Sequence, residues 1–346
     1  MKAAVLEKWE NLEIKQIAKP EIVPGEALIR MIYAGVCGSD ITVYSGKHPT
    51  ATIPVVVGHE ILGIIEDIKP LGPSDLKPGD RVAVEPLVSC GVCEACRKGH
   101  SHVCKSLKLL GIHINGGYAE YTKAEVKKLV KVSERLPDRI AALAEPFAVG
   151  FHVISRSGLK LGDTALIVGA GPIGMVVALC ARSAGASRVV VSEVNEKRLA
   201  LAQQMGFETI NPLSQDPMVQ INAMTEGNGF DVVFEVSGSK AGILLTTNAC
   251  KIRGTIVPMS LAGTPVEFEL GKVSFKEMQV VGTRVYPFMD FVGGVRLLER
   301  LYDTEKLDLL ISDELPLDEA QKAIDSMKTG KNLCKILIKC QEEANT

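Results

Sequence analysis

Through residues 1–150 the apolar positions come in short runs, each cut off by glycine or proline. Ala27–Tyr33 (ALIRMIY), Val55–Val57, Ile61–Ile68 (ILGIIEDI) and Arg81–Val84 have this character. Pro24-Gly25, Gly72-Pro73 and Pro78-Gly79-Asp80 supply the turns between them. The pattern predicts an irregular β-rich domain, a partly open barrel. Over 151–285 the pattern changes to short buried strands alternating with helices. Ala165–Val168, Arg188–Ser192, Val232–Val236, Thr255–Met259 and Val280–Gly282 read as strands, and Ile173–Ala184 and Glu196–Met205 as helices. That alternation predicts an α/β domain, a doubly wound parallel sheet covered on both faces. Past Thr283 the pattern looks helical, at Phe291–Leu301 and Leu317–Met327. A last strand, Cys334–Lys339, is placed back on the first domain, so 286–346 return to it.

Composition narrows the classes. Hydrophobic residues make up 46 % of the 346 and charged residues 23 %, with a net charge of −2. Such a chain builds sizeable cores. Its basic residues are spread out, which argues against nucleic acid as a partner. The N-terminus MKAAVLEKWENLEIKQI has no apolar core of the kind a secretory signal needs. No apolar run approaches the length of a membrane span, about 20 residues. The expected setting is cytoplasmic.

Gly169-Ala-Gly-Pro-Ile-Gly174 follows a predicted strand and opens a predicted helix. In that context Gly169 permits the tight turn, Gly171 lets the backbone approach a pyrophosphate, and Gly174 lets helix and strand pack closely. Pro172 and Ile173 start the helix, whose N-terminus favours phosphate. Glu193 ends the next strand, nineteen residues after Gly174. An acid there suits the ribose hydroxyls and repels an extra phosphate, so NAD is expected rather than NADP. Arg198 and Lys197 lie close enough to soften that preference, although Lys197 also reads as a solvated helix residue.

Nine cysteines are an odd number for a full disulfide set, and a reducing compartment disfavours one. Four of them, Cys90, Cys93, Cys96 and Cys104, crowd one short loop. Four thiolates close a tetrahedral shell around Zn²⁺ with no position left for water, which is a structural site. A second set is scattered: Cys37 in Cys-Gly-Ser-Asp40, then His59-Glu60, with Glu145 as a fourth contact or a partner of bound water. Catalytic zinc takes fewer protein ligands and keeps one position open. Taken singly, each of these has a plainer reading, as a buried cysteine or a surface pair. Spacing alone does not join them.

The combination does. Gly35-Val-Cys-Gly-Ser-Asp40, Gly58-His-Glu60, Pro78-Gly-Asp-Arg-Val82, the four-cysteine lobe, Gly116-Gly-Tyr-Ala-Glu-Tyr121, Glu145-Pro and Gly169–Gly174 run the length of the chain. With these motifs it resembles the zinc-containing medium-chain alcohol and polyol dehydrogenases, in the sorbitol dehydrogenase-like branch. The resemblance implies a GroES-like catalytic domain and a Rossmann coenzyme domain. It implies one catalytic zinc on Cys37, His59 and Glu60, with Glu145 on the metal or on its water, and one structural zinc. It implies a homodimer or homotetramer, and oxidation of a small-molecule alcohol by hydride transfer to NAD. Ser39 resembles the family's proton-relay hydroxyl. Where many members carry a histidine five residues after the cysteine, this chain has Thr42, and His48 or water stands as the substitute. The expected substrate is a secondary alcohol of a polyol, sugar acid or vicinal diol. Threonine and simple alcohols are the alternatives, and an inactive structural or regulatory relative is the non-enzyme alternative. Arg284 and Tyr286 are further candidates for the substrate site.

Overall fold

The computed structural model describes residues 1–260, 265–330 and 332–341. They form two compact units, Met1–Glu145 with the chain from Pro287 onward, and Pro146–Tyr286. Among the described residues no helix is long and apolar enough to cross a membrane.

The first unit is built on one long strand, Glu26–Val36, buried along most of its length. It pairs antiparallel with Glu60–Ile68, with Tyr121–Glu125 and with Lys335–Lys339. The sheet runs in the order Leu129–Lys131, Arg81–Val84, Glu60–Ile68, Glu26–Val36, Lys335–Lys339, Ile311–Pro316. A smaller sheet of Asn11–Gln16, Lys2–Lys8 and Val55–Val56 closes the core, which collects Leu6, Ile29, Met31, Ile65, Val82, Tyr118 and Ile338. The last strand therefore returns to the first unit. The stretch after Thr283 is not helical throughout, however. Ile311–Pro316 is a strand, parallel to Lys335–Lys339. Its side chains are mostly solvent-facing because it lies at the sheet's edge, so it lacks the apolar run that marks a buried strand.

In the second unit six parallel strands run Glu208–Ile210, Arg188–Ser192, Thr164–Val168, Phe230–Glu235, Cys250–Pro258, Gln279–Val280. Numbered along the chain this is 3-2-1-4-5-6, the Rossmann order. Thr164–Val168 is buried almost throughout, as a strand covered on both faces must be. The strand order reverses between Thr164–Val168 and Phe230–Glu235, and ligands of such sheets bind outside the carboxyl ends at that point. The chain leaves the carboxyl end of Thr164–Val168 through Gly169.

Candidate metal centre and coenzyme turn

Strand register assembles the scattered set. Gly35 lies opposite Glu60, and Val36 opposite Ile336. Three strands therefore bring Cys37, Glu60 and Lys335 to one end of one sheet. Glu60 opens its strand, so His59 sits just ahead of it. After Cys37 the chain turns into the helix Gly38–Tyr44, and Asp40 in its first turn accepts the Cys37 backbone N–H at 2.9 Å. One ligand atom each from Cys37, His59 and Glu60 lies within 4.8 Å of the others.

The second layer is fully formed. Asp40 Oδ1 stands 3.2 Å from His59 Nδ1, without the alignment of a full hydrogen bond. A carboxylate on that nitrogen leaves Nε2 to face a metal. Nε2 lies 3.4 Å from Ser39 Oγ. Tyr118, fully buried, donates to the other oxygen of Asp40 at 3.2 Å. Burial opposes charge on His59, yet Asp40 and the Cys37 thiol outweigh it and hold its pKa well above the ordinary value. Lys335, 2 % exposed, donates to Glu60 Oε1 at 2.5 Å and to the Val36 carbonyl at 3.1 Å. Burial works against its charge too, but Glu60 and Cys37 keep its pKa raised.

This donor set fits a divalent cation. Asp40 and Glu60 are buried carboxylates near the Cys37 thiol, Glu145 is buried as well, and the sheet brings the Lys335 cation to Glu60. Glu60 Oε2, fully buried, has no hydrogen-bond partner among the described residues. A Cβ on Gly35 would come within 1.9 Å of that oxygen, so only glycine leaves it room. Glu145 stands outside the cluster of three, in the first turn of the helix Ala144–Ser157, near enough for its charge to act on Lys335. Asp40, Tyr118 and Lys335 were not singled out as site residues from the sequence. Asp40 was within reach, since it closes the Cys37–Asp40 motif.

The cysteine lobe carries its own geometry. Sulfur–sulfur separations are 3.4 Å for Cys90–Cys104, 3.5 Å for Cys93–Cys96, 3.9 Å for Cys93–Cys104 and 4.0 Å for Cys90–Cys96. A Zn–S bond of about 2.3 Å gives tetrahedral edges of about 3.8 Å. The amides of Val92 and Cys93 pull Cys90 down to about 6, while burial and the neighbouring thiols push Cys96 up to about 11. The four sulfurs form a group that could hold a metal ion.

In the second unit Gly171 caps the helix Pro172–Ser183 with no side chain on its amides. The space beside Gly171 is open where a Cβ would project. Gly174 is packed so closely that a Cβ would meet the Gly169 carbonyl at 1.9 Å, and Gly169 has a φ of +111°. Glu193 accepts the Ala170 amide at 2.8 Å and the Val194 and Asn195 amides at 2.7 and 2.9 Å. The acid and the glycine turn are thus one braced unit. Lys197 is exposed and Arg198 partly buried. Arg284 is exposed and Tyr286 fully buried. A separate cavity of about 550 Å³ opens among Thr164, Asp231 and Lys251, at the strands' amino ends and away from the glycine turn.

Known families match both units. Residues 23–134 match the alcohol dehydrogenase GroES-like domain, and 172–300 the zinc-binding dehydrogenase family. The chain is 34 % identical over 322 residues to 2-dehydro-3-deoxy-L-galactonate 5-dehydrogenase of Pseudoalteromonas atlantica, covering 92 % of this chain and 93 % of that one. It is 33 % identical over 341 residues to L-threonine 3-dehydrogenase of Bacillus velezensis, covering 96 % of each. A Sinorhizobium meliloti structure with NADP bound superposes with a TM-score of 0.89 at 31 % identity, covering 97 % of this chain and 98 % of that one. Motifs, sheet order and these matches agree that the chain belongs to the zinc-containing medium-chain alcohol and polyol dehydrogenases.

Proposed function

We propose that this protein oxidises a secondary alcohol of a polyol, sugar acid or vicinal diol to the ketone, using zinc and NAD. The observation that carries the reading is the convergence of Cys37, His59 and Glu60 within 4.8 Å, with the Ser39 hydroxyl 3.4 Å from His59. These three residues would hold a zinc ion, which when bound supplies Lewis acidity to the substrate's hydroxyl group. The coenzyme supplies the hydride acceptor. Asp40 fixes the His59 ring, and Cys37 and Glu60 are fixed by strand register. Ser39, partly exposed, takes the hydroxyl proton. Thr42 donates to the Ser39 carbonyl at 2.9 Å, so its hydroxyl proton is already engaged and outward transfer falls to His48 or water. Glu145 adds negative charge to the site from outside the three-residue cluster.

The test is NADH formation over a panel of sugar alcohols, sugar acids, vicinal diols, L-threonine and simple alcohols. We expect the highest kcat/KM for a secondary alcohol with a neighbouring hydroxyl. Preference for L-threonine would establish the second reading, favoured by the Bacillus velezensis relative. No turnover of any of them would leave the inactive relative.

NAD is proposed over NADP because the Glu193 carboxylate stands beside the glycine turn, where a 2′-phosphate would meet a negative charge. Wild type should favour NAD by about tenfold or more in kcat/KM, given that each factor of ten is 1.36 kcal/mol. Glu193→Ser should narrow that ratio. A wild-type preference for NADP would refute the assignment of Glu193.

A further inference from the structure

The buried pair Lys335–Glu60 does not belong to an ordinary core. Its partners lie 275 residues apart, and their side chains are 2 % and 0 % exposed. A buried pair of this kind is weak evidence for stability, since apolar residues of similar volume often serve as well. Lys335 also places a positive charge on the very carboxylate a divalent cation would use. Electrostatically the two compete. With the metal away, Lys335 compensates Glu60. With the metal present, two like charges share one carboxylate in a medium that screens them weakly.

Glu60 has little freedom to avoid this conflict. Oε1 is held by Lys335, which is itself anchored on the Val36 carbonyl. Oε2 has no partner among the described residues, and it lies in the gap left by the missing side chain of Gly35. One oxygen thus faces the lysine and the other lies free for a metal, so the same carboxylate would be shared between the two.

We infer that Lys335 is the metal centre's resident counter-cation: it competes with the metal for Glu60 and so sets how tightly the centre holds its ion. The inference rests on the reading of Cys37, His59 and Glu60 as metal ligands. Lys335 acts through Glu60 and is a positioning residue. Its removal pushes the metal-free and metal-loaded states the same way. The empty site loses the partner of a buried carboxylate, and the loaded site loses a repulsion. Both widen the gap between the states, so the metal binds more tightly.

The experiment is zinc competition against a chelator at pH 8, with thermal melting of metal-free and zinc-loaded protein. It compares wild type with Lys335→Met, Lys335→Arg and the pair Glu60→Gln with Lys335→Met. The weaker of two zinc ions should bind tenfold or more tightly in Lys335→Met, and within about threefold of wild type in Lys335→Arg, by the usual scale of effects around metal ligands. Metal-free Lys335→Met should melt about 10 °C lower, the scale set by breaking a buried pair. Zinc should recover the loss, as should the added Glu60→Gln. Unchanged or weaker zinc binding in Lys335→Met overturns the inference. So does a Lys335→Met protein that zinc does not rescue, or a double variant that behaves like the single one. A zinc content that does not fall in Cys37→Ala is a different result, and it removes the underlying ligand assignment.

Discussion

Cys37→Ala and His59→Ala should each lower turnover by about 10⁴-fold or more while leaving the fold intact. The size follows from losing several kcal/mol of charge stabilisation, at 1.36 kcal/mol for each factor of ten. The fold should survive for local reasons. Cys37 precedes the helix Gly38–Tyr44; alanine gives up the Cys37 side-chain half of the capping box but keeps the half in which Asp40 accepts the Cys37 backbone N–H. His59→Ala withdraws the ring beside Asp40 Oδ1, but Asp40 keeps its bonds from Tyr118 and the Cys37 amide. A loss of about 1–3 kcal/mol is expected there, the usual result of removing one partner from a buried polar group. The check joins NADH formation, metal analysis and thermal melting on the same preparations. Zinc per chain should fall from two to one. Substantial turnover by a Cys37→Ala protein that holds one zinc would end the assignment.

What could be read before the fold was known depended on how local each feature is. The glycine turn lies within six residues of Gly169, and the cysteine lobe within fifteen of Cys90. Each is a short segment whose chemistry its own spacing dictates, so both were legible. Cys37, His59 and Glu60 meet only because Gly35 lies opposite Glu60 across two strands. Residue spacing holds no record of that register, and the set was joined by family resemblance instead. Lys335 was beyond reach for the same reason in stronger form. In Cys334–Lys339 it looks like a polar flank of an apolar strand, and only the pairing of Val36 with Ile336 turns it onto Glu60. Asp40 failed differently: an acid in the first turn of a helix reads as a cap, which it is, and its second role toward His59 needs the other strand in place. Ile311–Pro316 was missed because an edge strand need not be apolar.

Cys96→Ser should act on the lobe and spare the chemistry. Between Cys90 and Cys104 the backbone hydrogen bonds among the described residues are local turn bonds such as Arg97 to Cys93 and His100 to Ala95. The helical pieces there are Glu94–Arg97 and Ser101–Val103, neither longer than a turn or so. Val92 is 65 % exposed and Val103 39 %, and of the four cysteines only Cys104 is buried. A segment with so little apolar surface to bury would be ordered by a zinc ion held on the four sulfurs, and zinc affinity there would be folding free energy. Losing one thiolate should therefore remove one zinc per chain and abolish amide protection across residues 90–104. The melting temperature should fall by about 5–10 °C, corresponding to a few kcal/mol for a unit of this size. Turnover measured at once, well below that temperature, should stay within about threefold of wild type, because Cys37, His59 and Glu60 are fixed by the sheet and not by the lobe. Hydrogen exchange with metal analysis and an immediate rate measurement separates the outcomes. A Cys96→Ser protein that keeps two zinc ions and a protected lobe would show that the four sulfurs hold no metal. One that loses chemistry while the lobe stays ordered would show that the lobe serves the reaction directly.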